Sequence, residues 1–265
     1  MNALSAWAEA YVTSSSLAYK LQPPAPPEPG APEPRPSKLP SPGRPPELTV
    51  TARSEKTPSA GALRAEGARA RLLHTFWHHE LQAAELFCWA LVAFPDTPEA
   101  FRRGLLKIFH DEVRHLGLYT DYLRDAGHPA GSFPVRDWFW QRVPAAREPS
   151  AFVATLGLGF EGANLDHAAR FGERLRAAGD EAGASLQDTI RREEVAHVAF
   201  ALKWFRAFTG EGTGGALFDR WAQALPEPLS PWVLRARPMN RDDRRRAGLD
   251  EVFLDRLEAS GATRA

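Results

Sequence analysis

The chain has 265 residues, 43% hydrophobic and 25% charged, the balance of an ordinary globular protein with one main core plus extensions. Thirty-three basic and thirty-three acidic side chains give a formal net charge of zero, which removes any whole-molecule pull towards nucleic acid or an anionic membrane. A single cysteine, Cys88, excludes an intramolecular disulfide, a CxxC zinc knuckle and a rubredoxin-type iron centre.

The N-terminal MNALSAWAEAYVTSSSLAYKL lacks the basic start and long apolar core of a secretory signal. The longest apolar run, FCWALVAF at 87–94, falls short of the roughly 20 residues that span a bilayer, so the expected location is cytoplasmic, without a membrane partner. Leu4 to Leu21 reads as a short amphipathic stretch. Residues 22–46 are too rich in proline for helix or sheet, because proline lacks the amide donor and fixes φ. A disordered linker and a strap laid on the surface both fit, and the amphipathic stretch before it favours the strap.

From residue 62 the pattern changes. Leu72, Leu73, Phe76, Trp77, Ala84, Phe87 and Leu91 recur at three and four, predicting a buried helical stripe over 62–93 that Pro95 ends. Thr97-Pro98-Glu99 supplies an N-cap, a proline at the first helical position and a first-turn acid for a second helix. That helix runs to about Ala126 and stops at Gly127. The long stretch from Gly127 to Pro149 is a crossover rather than a tight hairpin. Ser150 caps a third helix to about Ala178, Gly179-Asp180 turns the chain, and a fourth helix runs from Glu181 to Phe208, stopped by Thr209-Gly210-Glu211-Gly212. The tail holds a short helix near 214–224 and a charged one near 241–259. No alternating β pattern competes, so the predicted class is all-α. Two helix pairs joined by one crossover give the connectivity of a ferritin-like four-helix bundle at 62–210, flanked by an arm at 1–61 and a helical tail at 211–265.

On the second helix Leu105, Ile108, Glu112, His115, Tyr119 and Tyr122 share the stripe that faces the core. On the fourth, Ile190, Glu194, His197, Ala201, Trp204 and Phe208 do the same. Glu80 and Glu161 lie on the inward stripes of the first and third. Buried carboxylates are costly unless neutralised, and a metal ion is an effective neutraliser. The intervals repeat: Glu80 to Glu112 is 32 residues and Glu161 to Glu194 is 33, while His115 to His197 is 82 and Glu80 to Glu161 is 81. Such a repeat is what a two-fold related pair of metals requires, with one glutamate from each of two helices and Glu-x-x-His from each of the others. Glu112 and Glu194 would bridge; Glu80 with His115, and Glu161 with His197, would complete the two metals. Carboxylate and imidazole donors suit two Fe ions, with Mn or Zn as alternatives.

LLHTFWHHELQAAEL, FHDEVRHLGLY, FEGANLD and EEVAHVAFALKWF resemble a bacterial ferritin-like family of unknown function. The resemblance covers about residues 40–210, with an echo in ARPMNRDDRRRAGL. It implies a non-haem di-iron centre on Glu80, Glu112, His115, Glu161, Glu194 and His197, and architecture more than substrate.

Asp111 and Glu193 precede the bridging glutamates and are candidates to support the opposite imidazoles. Glu85 and Asp166, five residues after Glu80 and Glu161, lie about 140° around their helices from those ligands and point rather to a neighbouring helix or solvent. Tyr119 and Tyr122 lie beyond His115, as packing groups or redox relays. His74 and His78 have a zinc-compatible spacing that more often lines a polar surface. Trp138-Phe139-Trp140 suggests an aromatic cover, and RDDRRR at 241–246 a solvated helix start.

The expected function is a di-metal oxidoreductase that activates O2 or peroxide and oxidises a small-molecule substrate. The chain shows no haem, flavin or nicotinamide site, so an oxygenase would need a separate electron-donor reductase. Ferroxidase or iron storage is the alternative, and a non-catalytic bundle stapled by metals a further one. The arm, crossover and tail burden the outer surface, which favours a monomer or homodimer over a shell. Hydroxylation of tRNA rests on superfamily analogy alone, and nucleic acid is not an expected partner.

Overall fold

The computed structural model describes residues 3–32, 34–53, 57–210 and 212–261. Glu211, expected among the residues that stop the fourth helix, and the extreme ends of the expected arm and tail lie outside the described residues. Among the described residues the chain is all-helical, without a strand; Val50 and Val135 alone form an isolated parallel bridge. It divides into two compact units, Met1–Gln141 with Ala177–Gly183, and Arg142–Arg176 with Ala184–Ala265.

In the first unit, α1 (Ala3–Thr13) buries Leu4, Ala8, Tyr11 and Val12, one stripe at helical spacing. Tyr11 meets Phe109 edge to face at 4.8 Å, and Trp7 does so at 5.2 Å. The Ser16 hydroxyl accepts the Tyr19 N–H to cap α2 (Leu17–Leu21). The proline-rich arm that follows is a strap. Trp7 Nε1 donates to Pro24 O, Arg102 Nη2 to Gly30 O, and Arg44 reaches α3. These bonds tie the arm down at intervals, which a free linker would not show.

A 3-10 turn at Ala62–Arg64 leads into α3 (Glu66–Ala93), which starts a few residues later than expected. Every residue from Glu80 to Ala93 is buried, so the second half of α3 is enclosed all round rather than along one stripe. The next helix, α4 (Glu99–Asp125), keeps one apolar face. Thr97 does not cap it: its hydroxyl donates back to Phe94 O at 2.7 Å, and Pro98 occupies the cap position. Gly127 ends it as expected, at φ 72°, with the His128 N–H returning to Leu123 O.

In the second unit, α5 (Pro149–Phe152) starts at proline with Glu148 before it, so Ser150 is inside the helix and not its cap. The chain then runs as a π-helix over Val153–Glu161 into α6 (Gly162–Ala177). The expected uninterrupted α-helix is therefore broken over the nine residues that end at Glu161. Gly157 explains how this wide segment reaches α7 (Glu181–Thr209): a Cβ here would overlap Ala201 Cβ. Beyond lie α8 (Gly214–Ala224), a 3-10 turn at Pro231–Leu234, α9 (Arg241–Arg246) and α10 (Glu251–Ala259). The charged tail helix expected at 241–259 is thus two, parted at Gly248 with φ 97°.

Candidate metal centre

In the first unit, α3 places Glu80, and α4 places Glu112 and His115 one turn apart on the same face. They are 4%, 0% and 0% exposed, so the donors are shut away from bulk water. Their ligand atoms lie within 4.8 Å of one another. His115 Nδ1 is 3.3 Å from Glu80 Oε2 and 3.8 Å from Glu112 Oε2. Burial alone pushes the His115 imidazole down, but hydrogen bonds and charge from Glu112 and Glu80 outweigh it and hold the group well above its ordinary value. The two carboxylates therefore attract positive charge to Nδ1, whether it arrives as a proton or as a cation.

In the second unit, Glu161 closes the π-helix, and Glu194 and His197 stand one turn apart on α7. All three are buried, with ligand atoms again within 4.8 Å of one another. His197 Nδ1 approaches Glu194 Oε2 at 3.1 Å. Asn164 Nδ2 donates to Glu194 Oε1 at 3.1 Å and fixes that carboxylate. Sequence reasoning did not single out Asn164. Its signal was present in FEGANLD, three residues past Glu161, but the counterpart in the first half of the repeat is Ala83, which cannot donate.

Each set holds two carboxylates and one imidazole and stays net negative even with its histidine protonated. A divalent metal offsets that charge, and the oxygen and nitrogen donors are hard to borderline, so the residues fit iron or manganese. The buried acid–histidine clusters are thus able to bind a metal ion. The π segment that delivers Glu161 fits the same picture, since such segments are frequent where a helix presents functional groups.

Among the remaining candidates, Glu85 and Asp166 pair with cations. Glu85, fully buried, pairs with Lys20 at 2.5 Å and Arg44 at 2.6 Å and accepts the Trp140 indole N–H at 2.6 Å. Lys20 Nζ also donates to Tyr11 O and Val12 O, at the carbonyl end of α1. Asp166 accepts two bonds from Arg244, Nε at 3.1 Å and Nη2 at 2.9 Å, and one each from the Ala236 and Asn240 N–H groups. Each member of the pair grips an extension: Glu85 the arm, Asp166 the tail. Asp111 is half-buried beside Arg114, and Glu193 is half-buried. Tyr119 is buried against Phe76, while the Tyr122 hydroxyl donates to Asp180 at 2.6 Å. His74 and His78 take separate partners, the Gly131 N–H and the Asp137 carboxylate. Arg244 in RDDRRR is buried rather than solvated.

A family profile with the description "Protein of unknown function (DUF455)" matches residues 3–255. A protein of Haemophilus influenzae, described only as an uncharacterized protein, is 25% identical over 148 residues, 53% of this chain and 51% of its own length. The match therefore spans about half of that relative. No solved structure matches significantly. No described helix is long and apolar enough to cross a membrane.

Proposed function

The chain belongs to the DUF455 family, whose function is unknown, and from that premise we propose that it is a di-metal carboxylate oxidoreductase built on a ferritin-like four-helix bundle. One observation carries this reading: each unit brings together the same buried donor triplet, two glutamates and a histidine, at matching places in an internal sequence repeat. Two metals, iron before manganese or zinc, would be held by these donors, with Glu112 in one set and Glu194 in the other. Glu80 with His115, and Glu161 with His197, complete the donor sets.

Iron ions bound by these residues would supply the electrons for reduction of O2 or peroxide. The chain's own residues do the rest. Burial of all six donors excludes water and keeps the carboxylates from being solvated away from the metals. The Asn164 amide fixes one oxygen of Glu194 and leaves the other directed to His197. The substrate is a small molecule, and electrons come from a separate reductase, acting on a cytoplasmic monomer or homodimer. The expected division into arm, bundle and tail belongs to the same proposal.

Metal analysis of protein made in iron-supplemented medium, then anaerobic ferrous loading and mixing with O2, tests the reading. Roughly two irons per chain, rapid O2 consumption, and loss of metal in Glu112→Gln and Glu194→Gln are expected. Absence of bound metal overturns the site; two tightly held metals that never consume O2 or peroxide overturn the oxidoreductase; a large multi-subunit shell on a sizing column moves the assignment to iron storage.

A further inference from the structure

A second site lies within the first unit. A pocket of about 250 Å³ is walled by Arg71, Thr75, His78 and His79 of α3, by Pro134, Val135, Arg136 and Trp138 of the crossover, and by Thr51 and Thr57 of the arm. Arg71, Thr75 and His78 follow one another at four and three on one face of α3. Glu80 comes two residues after His78, about 200° around the helix, so this face points away from the ligand face.

The walls are pinned before any ligand arrives. Thr51 N donates to Val135 O at 2.8 Å and Val135 N to Thr49 O at 2.9 Å, which zips the arm to the crossover. Arg71 lies over the Phe133 ring and Arg136 over Trp138, each at 4.7 Å, so both guanidiniums are held against aromatic faces. Asp137, itself held by Arg44, takes His78 Nε2 at 2.9 Å and fixes the ring. Two polar atoms have no hydrogen-bond partner among the described residues although both are buried: His78 Nδ1, on a side chain only 1% exposed, and Arg136 Nε. Buried polar atoms of this kind call for a partner. No acidic side chain is among the described lining residues.

We propose that this pocket binds a phosphate group, either free phosphate or the phosphate of a small monoester. Two planar guanidiniums and threonine hydroxyls match its acceptor oxygens. With Nε2–H committed to Asp137, a neutral His78 offers Nδ1 as an acceptor, which a P–O–H group satisfies and a sulfate or carboxylate does not. The volume lies below the ~300–1,000 Å³ of drug-sized ligand sites and suits a compact ligand.

The test is calorimetric titration of inorganic phosphate, with sulfate alongside, into the full chain both metal-loaded and chelator-treated. Saturable phosphate binding, stronger than sulfate and equal with and without metal, is expected. Arg136→Gln and Arg71→Gln, both at half-buried positions, each weaken it about tenfold or more while circular dichroism stays unchanged. His78→Phe erases the preference over sulfate. Binding that disappears with the metal would place phosphate on the metal centre and overturn the proposal. So would no binding at all, or binding retained in the Arg71→Gln/Arg136→Gln variant. Equal binding of sulfate refutes the role given to His78 and reduces the site to a general oxyanion pocket.

Discussion

Asp166→Ala removes the anchor of the tail, and its cost follows from four hydrogen bonds. The carboxylate is 1% exposed and so is Arg244; the two share a bidentate contact, and the remaining acceptor capacity takes the Ala236 and Asn240 N–H groups. Deleting one partner of a buried pair leaves the other charge uncompensated, at about 3–5 kcal/mol. The two orphaned amides add roughly 1 kcal/mol each where water cannot reach them. A loss of about 5–7 kcal/mol is therefore expected, a large share of the ~5–15 kcal/mol that keeps a protein folded. In a thermal scan this is a fall of roughly 10–28 °C. Urea titration followed by tryptophan fluorescence reads it directly, since Trp221 is buried in the same unit and donates to Ala154 O. Asp166→Leu combined with Arg244→Met should recover much of the loss, because two apolar groups strand no charge. A single-variant loss under about 1 kcal/mol, or strict additivity of the two substitutions, would refute this account of the tail.

Two further predictions concern packing and pH. Gly157→Ala places a methyl group on Ala201 and should cost about 1–3 kcal/mol, with recovery in Gly157→Ala/Ala201→Gly; a neutral single variant means that the π-helix and α7 do not approach as closely as described. Burial, and then the charge of His78, lowers the His74 pKa from 6.5 to about 4. Between those values the unfolded chain binds a proton that the native state refuses, so stability is full above pH 6.5 and falls with acid, by up to about 3 kcal/mol near pH 4. His74→Gln keeps an acceptor for the Gly131 N–H and should flatten the midpoint-against-pH curve; an unaltered slope counts against the assignment.

What was legible in the sequence was local or periodic. Glu112 and His115 stand on the buried face of α4 because three residues make nearly one turn, and Gly127 ends that helix because its φ is positive. Both kinds of statement need only neighbours in the chain. The failures were also local, but they involved competing bonds. Thr97 offers a cap in principle, yet its hydroxyl is already given to Phe94 O, and the π segment before Glu161 conforms to no 3.6-residue stripe. Partners far away in sequence left no trace: Lys20 lies 65 residues from Glu85, and Arg244 lies 78 from Asp166. The helical angle placed those acids away from the ligand positions but carried no information about what they would meet.

Glu85 and Asp166 occupy the same place in the repeat, and each is neutralised by a cation from outside the helix pair that carries it. The ends of the chain are thus counterions for its middle. A boundary drawn where the composition changes near residue 62, or at the close of α7, would separate charge from counter-charge and strand a carboxylate in each core. By that measure the arm belongs to the first unit and the tail to the second, and the smallest piece of either able to fold is set by where the cations come from rather than by where the helices begin.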